Sequence, residues 1–318
     1  MTSETPQFRR TDDAVIRIGG ADALSFLQTK LACDTRRWRM TGGGFGLATD
    51  INGKLLFEGH FALGDDGAVY AVMPSTVADA AVEHIDRYVI MEKVEAARLP
   101  GACTWVALGD AAGEALERSD DEEPARARPV TWTDVDLVAF RSPGPVPGAT
   151  RWWIVASNAD DAGRDTVEEA LVDHGFIRAR LDAIHDADVR AGVPALGRDY
   201  ETGATIPIEA GLWNGVSLSK GCYLGQEVLE RLFSRGAAAK RLVRFAVDGD
   251  EVAPGTSLRM EGGEVGTVTS SVTDAAGAIG MAWLKRKALA DPSGVTLDGD
   301  GRAVRVLGLV GGPDPENP

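Results

Sequence analysis

Apolar side chains recur along this chain in two rhythms, and the switches between them mark its elements. Residues Ala14 to Ile18 read as a short strand ended by Gly19-Gly20. Asp22 then opens a helix, with Leu24, Leu27 and Leu31 on one stripe at spacings of three and four. Gly42-Gly43-Gly44 reads as a turn. Phe45 to Thr49, Leu55 to Leu63 and Ala68 to Met73 read as antiparallel strands, joined by Asp50-Ile51-Asn52-Gly53 and Gly64-Asp65-Asp66-Gly67. From Val77 to Ile90 the pattern is amphipathic, with Val77, Ala81, Ile85 and Val89 on one face. A β-α-β-β-β-α opening predicts an α+β domain.

The pattern then partly recurs. Thr104 to Leu108, Val135 to Phe140 and Trp152 to Ala156 read as strands, and Asp161 to His174 as a helix. The intervening stretch Glu117 to Pro129, acidic and then arginine-rich, reads as an exposed loop or short linker. A weak repeat of two α+β halves follows from this order. After Lys240 the texture changes to short strands: Leu242 to Val247, Ser257 to Met260, Glu264 to Ser271, Ala278 to Leu284, Val295 to Leu297 and Ala303 to Leu307. Gly and Asp turns separate them, which predicts a small β-barrel or sandwich. The expected division is a first α+β half over 1–100, a second over 101–239, a barrel over 240–310 and a disordered tail over 311–318.

Composition narrows the function classes. The 318 residues carry a net charge of −15, which argues against a broad basic face for nucleic acid or anionic membrane. Arg235, Lys240, Arg241 and Arg244 form the densest basic cluster. The three cysteines, Cys33, Cys103 and Cys222, are odd in number and far apart, which predicts a reducing compartment and no disulfide framework. They also form no recognisable ligand set for zinc or an iron–sulfur cluster, so no metal site of its own is expected. His60, His84, His174 and His185 show no H-x-x-x-H spacing. The charged N-terminus lacks the apolar core of a signal peptide, and no apolar run approaches the roughly 20 residues of a membrane span. A cytoplasmic monomer with no membrane and no direct nucleic-acid partner is expected.

The candidate chemistry centres on Lys220-Gly221-Cys222-Tyr223-Leu224-Gly225-Gln226-Glu227. A cysteine is reactive to the extent that it is thiolate, and a nearby lysine lowers its pKa. Lys220 could do this, or bind an anion; the bland alternative is a solvated loop lysine. Gly221 and Gly225 remove bulk, so another backbone or a ligand could approach. If Gln226 to Phe233 is helical, Glu227 and Arg231 share a face and can pair, which suits a role in holding the cysteine loop. Cys33 and Cys103 lie in apolar periodic segments and read as core. Gly42 to Gly46 lacks the ending of a phosphate loop. Trp152, Trp153 and Trp213 read as core or as stacking rings.

The run K-G-C-Y-x-G-Q-E-x-x-x-R, followed by Arg235, Gly236, Lys240 and Arg241, resembles the signature of the YgfZ family, a branch of the superfamily of the glycine-cleavage T-protein. Weaker similarity covers Gly20 to Ala23, Phe26 to Gln28, Asp34, Asn52 to Leu56, Ala191 to Pro194 and Ile206 to Ala210. The resemblance implies an α+β folate-binding body of two halves with a C-terminal β-barrel. It implies tetrahydrofolate or a derivative as cofactor, with Glu209 a candidate acceptor for the pterin's N–H edge and the hairpin residues Asp50, Asn52 and Lys54 nearby. For Asn52 the turn reading is favoured, since Asn-Gly is a turn signal. T-proteins carry a pair of aspartates where this chain has Phe57-Glu58, Asp-Phe where it has Cys222-Tyr223, and the superfamily commonly has a glutamate where Arg190 stands. The implied function is a folate-binding auxiliary protein for assembly or repair of iron–sulfur proteins, and indirectly for tRNA thiomodification, with Cys222 and Lys220 at its centre and iron–sulfur client or assembly proteins as partners. The alternatives are a tetrahydrofolate-dependent aminomethyltransferase or demethylase, and a redox thiol protein without folate.

Overall fold

A computed structural model describes residues 5–109, 111–117, 125–180, 182–235 and 238–312. In chain order the first third holds β1 (Gln7–Thr11), β2 (Ala14–Gly19), α1 (Ala23–Lys30), α2 (Trp38–Thr41), β3 (Gly43–Thr49), β4 (Leu55–Leu63), β5 (Val69–Met73), α3 (Ser75–Tyr88) and β6 (Glu95–Arg98). The second holds β7 (Cys103–Leu108), α4 (Ala112–Ala115), β8 (Arg128–Val130), β9 (Leu137–Pro143), β10 (Thr150–Ala156), α5 (Asp161–Asp173), β11 (Ile177–Arg178) and α6 (Ala183–Ala191). Two 3-10 turns, Pro207–Ala210 and Trp213–Gly215, lead into α7 (Gln226–Arg235). The last part is β12 (Lys240–Val247), β13 (Ser257–Met260), β14 (Gly263–Asp274), β15 (Gly277–Lys285), α8 (Arg286–Ala290), β16 (Thr296–Leu297) and β17 (Arg305–Leu309).

The repeat suggested by the apolar pattern is present in the strand order. The first sheet runs β3-β4-β5-β2-β6 and the second β8-β9-β10-β7-β1-β11. Matching β2 to β7, and so on to β6 and β11, gives one topology twice, with β1 inserted between β7 and β11. The expected boundary at residue 100 is therefore crossed. β1 pairs antiparallel with β7 and parallel with β11, so the N-terminal strand belongs to the second sheet. Its alternating Phe8, buried at the centre, and exposed Arg10 carried a strand signal too short to read alone.

The two sheets pack face to face through Val15, Ala62 and Val72 of the first against Val106, Phe140, Trp153 and Val155 of the second. The outer face of the first sheet is covered by α1 and α3, where Phe26, Leu27, Ala78, Ala81 and Ile85 meet Ile16, Ile18, Phe57 and Phe61. The outer face of the second is covered by α4 and α5. The result is a helix–sheet–sheet–helix body. β4 is thus buried on both faces, and its side chains alternate between a helix-facing and a sheet-facing set. The stretch read as an exposed loop also differs. Residues 118–124 lie outside the described residues, but Ala125 and Ala127 are buried, and their N–H groups donate to the carbonyls of Thr41 and Leu63.

The C-terminal strands form a curled antiparallel half-barrel, ordered β16-β13-β14-β15-β12-β17. Val243, Phe245, Leu258, Val268 and Leu284 fill its interior. Of the tail expected to be disordered, 313–318 lies outside the described residues, while Gly311 packs on Gly211. No helix among the described residues is long and apolar enough to cross a membrane.

Candidate functional site

The cysteine run is held against the β3–β4 hairpin, and the hairpin's turn chemistry explains how. Asp50 closes the turn with its own carboxylate, whose Oδ1 accepts the N–H groups of Asn52 and Lys54, both at 2.8 Å. Asn52 and the left-handed Gly53 (φ 71°) complete the bend, leaving Ile51 exposed at its tip. Lys54 extends its ammonium to the carbonyl of Ala204 at 2.7 Å. Against this turn sits Gly225, with φ 83°. A Cβ there would collide with the carbonyl of Asp50 and lie 2.8 Å from Thr49 Oγ1 and 2.9 Å from Gly53 Cα. Thr49 donates to the carbonyl of Leu224 at 2.5 Å. Gly225 is therefore demanded by the chain's own packing. Gly221 is not: nothing lies within 4 Å of a Cβ placed on it.

Of the three cysteines, Cys222 is exposed, Cys33 buried and Cys103 intermediate. Burial pushes the Cys33 thiol up to about 12, so it stays protonated. Cys103, read as core, packs half-buried against the core between the second sheet and its helices and also lines a cleft of about 550 Å³ between the β1–β2 turn, residues 98–103 and the start of α5. Arg164 approaches its sulfur at 3.6 Å. No residue of the 220–227 run lines that cleft.

Lys220, the first residue of the run, is anchored to the body. It is 4% exposed, and its ammonium donates to the carbonyls of Gln28 and Leu31, both at 2.5 Å, and of Cys33 at 2.9 Å. Tyr223 packs beside it, with the ammonium 5.1 Å from the ring centroid. Desolvation lowers the Lys220 pKa to about 8, and the neighbouring Cys33 and Asp34 oppose that. On α7, Gln226 donates to Glu230 at 2.6 Å. Glu227 and Arg231, expected to pair, are both exposed, and no ion pair joins them among those of the described residues. Arg235 is exposed at the end of the helix, and Gly236 lies outside the described residues.

Glu209 is buried on the first 3-10 turn. Desolvation raises its pKa, while the charges of Lys54, Lys240 and Arg241 and the N–H of Ala239 oppose the rise. The carboxylate thus faces the strand that begins the half-barrel. Lys240 lies over the Trp283 ring at 4.4 Å and Arg241 over Trp213 at 5.8 Å. These groups tie the turn to β12. Arg190 likewise bridges to the half-barrel, donating to the carbonyl of Thr273 at 2.8 Å.

A carboxyl that sequence reasoning set against the T-protein aspartates, but did not place in the site, is strongly perturbed by its burial. Glu58, on the sheet-facing side of β4, is 7% exposed. Tyr200 donates to its Oε1 at 2.6 Å, and its Oε2 has no partner. Burial raises it to about 7, with the Tyr200 hydrogen bond opposing. Its neighbour two places along, His60, is pushed by burial to about 3 and bonds Ser142 at 2.9 Å. Glu58 and His60 on one face of an otherwise apolar nine-residue strand were the available signal. Opposite Glu58 on β3, Leu47 packs with Tyr200, Leu212 and Tyr223, with Trp283 of the half-barrel at the edge. The hydroxyl of Tyr223 is a second buried polar atom with no partner.

Residues 240–308 match a family model described as the C-terminal β-barrel domain of CAF17. The mitochondrial iron–sulfur cluster assembly factor IBA57 of Mus musculus is 26% identical over 90% of this chain and 79% of its own length. The tRNA-modifying protein YgfZ of Yersinia enterocolitica is 25% identical over 93% and 89%, and that of Vibrio vulnificus strain YJ016 is 28% identical over 78% and 72%. Among solved structures, the glycine cleavage system aminomethyltransferase T from Bartonella henselae superposes with a TM-score of 0.81 at 17% identity, covering 96% of this chain and 86% of that one. That likeness establishes the fold.

Proposed function

Since this chain belongs to the YgfZ family, we propose that it is a folate-binding auxiliary factor for assembly or repair of iron–sulfur proteins, with Cys222 as its working thiol. The observation that carries this reading is the exposure of Cys222 on a loop anchored on either side of it, at Lys220 and at Leu224. A thiol presented this way can reach a client, whereas Cys33 cannot. One thiolate is a single soft ligand, so a client or assembly protein supplies the remaining ligands of any cluster it meets. Effects on tRNA thiomodification follow indirectly, through iron–sulfur enzymes.

The group best suited to folate is Glu58. A pterin presents adjacent N–H donors, and a buried carboxyl with one unpartnered oxygen suits that edge. Glu58 and Tyr200 are therefore proposed to hold the pterin. Glu209 is less suited, because cations and the Ala239 N–H already face its carboxylate. Bound tetrahydrofolate would supply one-carbon acceptor chemistry. Asp50, Asn52 and Lys54 act by holding the hairpin on which the thiol loop rests.

The aminomethyltransferase reading has less support in this chain's own residues. Of the pair Phe57-Glu58, Phe57 is packed in the helix-facing core, so that side of β4 carries no carboxylate. The test is complementation of a strain lacking the gene, read as iron–sulfur enzyme activities. Wild type is expected to restore them, Cys222→Ala to fail, and tetrahydrofolate to bind both proteins equally in calorimetry. Unchanged iron–sulfur activities on deletion would defeat the maturation role. Turnover of an amine donor by Cys222→Ser would favour one-carbon transfer.

A further inference from the structure

We infer that Lys220 is a positioning residue: its ammonium fills a cage of backbone carbonyls at the end of α1, and so sets where Cys222 stands without acting on the thiol. The inference rests on Cys222 being the working thiol. Three carbonyls, from Gln28, Leu31 and Cys33, converge on Nζ at 2.5–2.9 Å. An ammonium has three protons, so all are engaged and none is left for Cys222. The cage stands where the last helical carbonyls lack intrahelical partners and where the helix dipole favours a cation. The ionisable groups whose charges bear on the ammonium are Cys33, Asp34 and Arg36.

The remaining ties of the loop give this plug its consequence. Ser217 N–H donates to the carbonyl of Ala32 at 2.9 Å, and Lys220 N–H to Ser217 Oγ at 3.2 Å. Downstream, Leu224 and Gly225 are fixed to the hairpin. Between the Lys220 and Leu224 ties, Gly221 and Cys222 are both exposed. Lys220 is the last anchor before the thiol, and it links the loop to a helix about 190 residues earlier, a link no local preference of the loop could make.

The experiment compares wild type with Lys220→Met, which keeps length and loses charge, and with Lys220→Ala. Amide hydrogen exchange over 217–225 reads loop position, and the pH profile of Cys222 alkylation, followed by peptide mass, reads the thiol. In Lys220→Met, exchange is expected to quicken about tenfold or more, with the midpoint of the alkylation profile moving by less than about half a unit. In Lys220→Ala, butylammonium is expected to restore protection, and tetramethylammonium, which has no N–H donors, to leave it lost. A midpoint raised by about one unit or more with loop protection unchanged would overturn the inference, making Lys220 an activator of the thiol. Equal rescue by both cations would also overturn it. If Lys220→Met does not fold, Lys220→Ala refolded in butylammonium carries the same comparison. None of these readouts uses iron–sulfur activity, so failure of the maturation role would leave them standing.

Discussion

At the scale of single residues, burial decides which ionisable groups do chemistry. Glu58 is the clearest case, because a carboxyl raised from 4.5 to about 7 remains protonated in the fold while its unfolded counterpart ionises. Between those values the native state binds more protons than the unfolded state, so stability falls as pH rises through the window. Glu58→Gln keeps the shape and the acceptor for Tyr200 and cannot ionise. Chemical denaturation is expected to show little difference from wild type near pH 4.5, and the variant more stable by roughly 2–3 kcal/mol at pH 8. A constant difference across that range would mean that Glu58 ionises without penalty. The same variant is expected to weaken tetrahydrofolate binding, since glutamine offers a single acceptor and Tyr200 already occupies it.

Among the elements, the hairpin and the cysteine loop separate two glycines that look alike in sequence. Gly225 has a left-handed φ and meets the hairpin backbone, so Gly225→Ala is expected to cost about 2–4 kcal/mol through strain and displacement of the hairpin. Gly221 has open space around it, and Gly221→Ala should change stability by no more than about 0.5 kcal/mol. Thermal melts of the two variants check both values. If Gly221→Ala is stable yet fails complementation, the bulk it adds obstructs something outside this chain, and a client approaching Cys222 is the natural object.

For the molecule as a whole, one short segment couples the sheets to the half-barrel. Tyr200 reaches Glu58 of β4, while the adjacent Asp199, 1% exposed, accepts from Thr269 and Ser270 of β14, both at 2.7 Å, and from Arg198 at 2.7 Å. The carbonyl of Asp199 also accepts the indole N–H of Trp283 at 2.8 Å. Asp199→Ala would leave two hydroxyls and a guanidinium without this partner, a loss of about 3–5 kcal/mol. Calorimetry is expected to show a lower, broader transition as the half-barrel loosens from the body, and limited proteolysis to cut first between 200 and 240. A single sharp transition at the wild-type temperature would mean that the apolar contacts alone hold the half-barrel.

The sequence by itself determined the elements whose period is long enough to repeat: α3, α5, β4 and most half-barrel strands lie within a few residues of where their apolar spacing puts them, because burial of one face imposes that spacing. It also marked the cysteine run, through residue types that few other sites combine. What it could not decide depends on partners remote in the chain. β1 is a strand because β7 and β11 flank it, and Cys103 is half-buried beside a cleft because the β1–β2 turn and the start of α5 come together next to it. Lys220 is an anchor because the carbonyls of residues 28, 31 and 33 converge on its ammonium. Desolvation and hydrogen-bond geometry are properties of what surrounds a group, and only the tertiary structure brings those surroundings together.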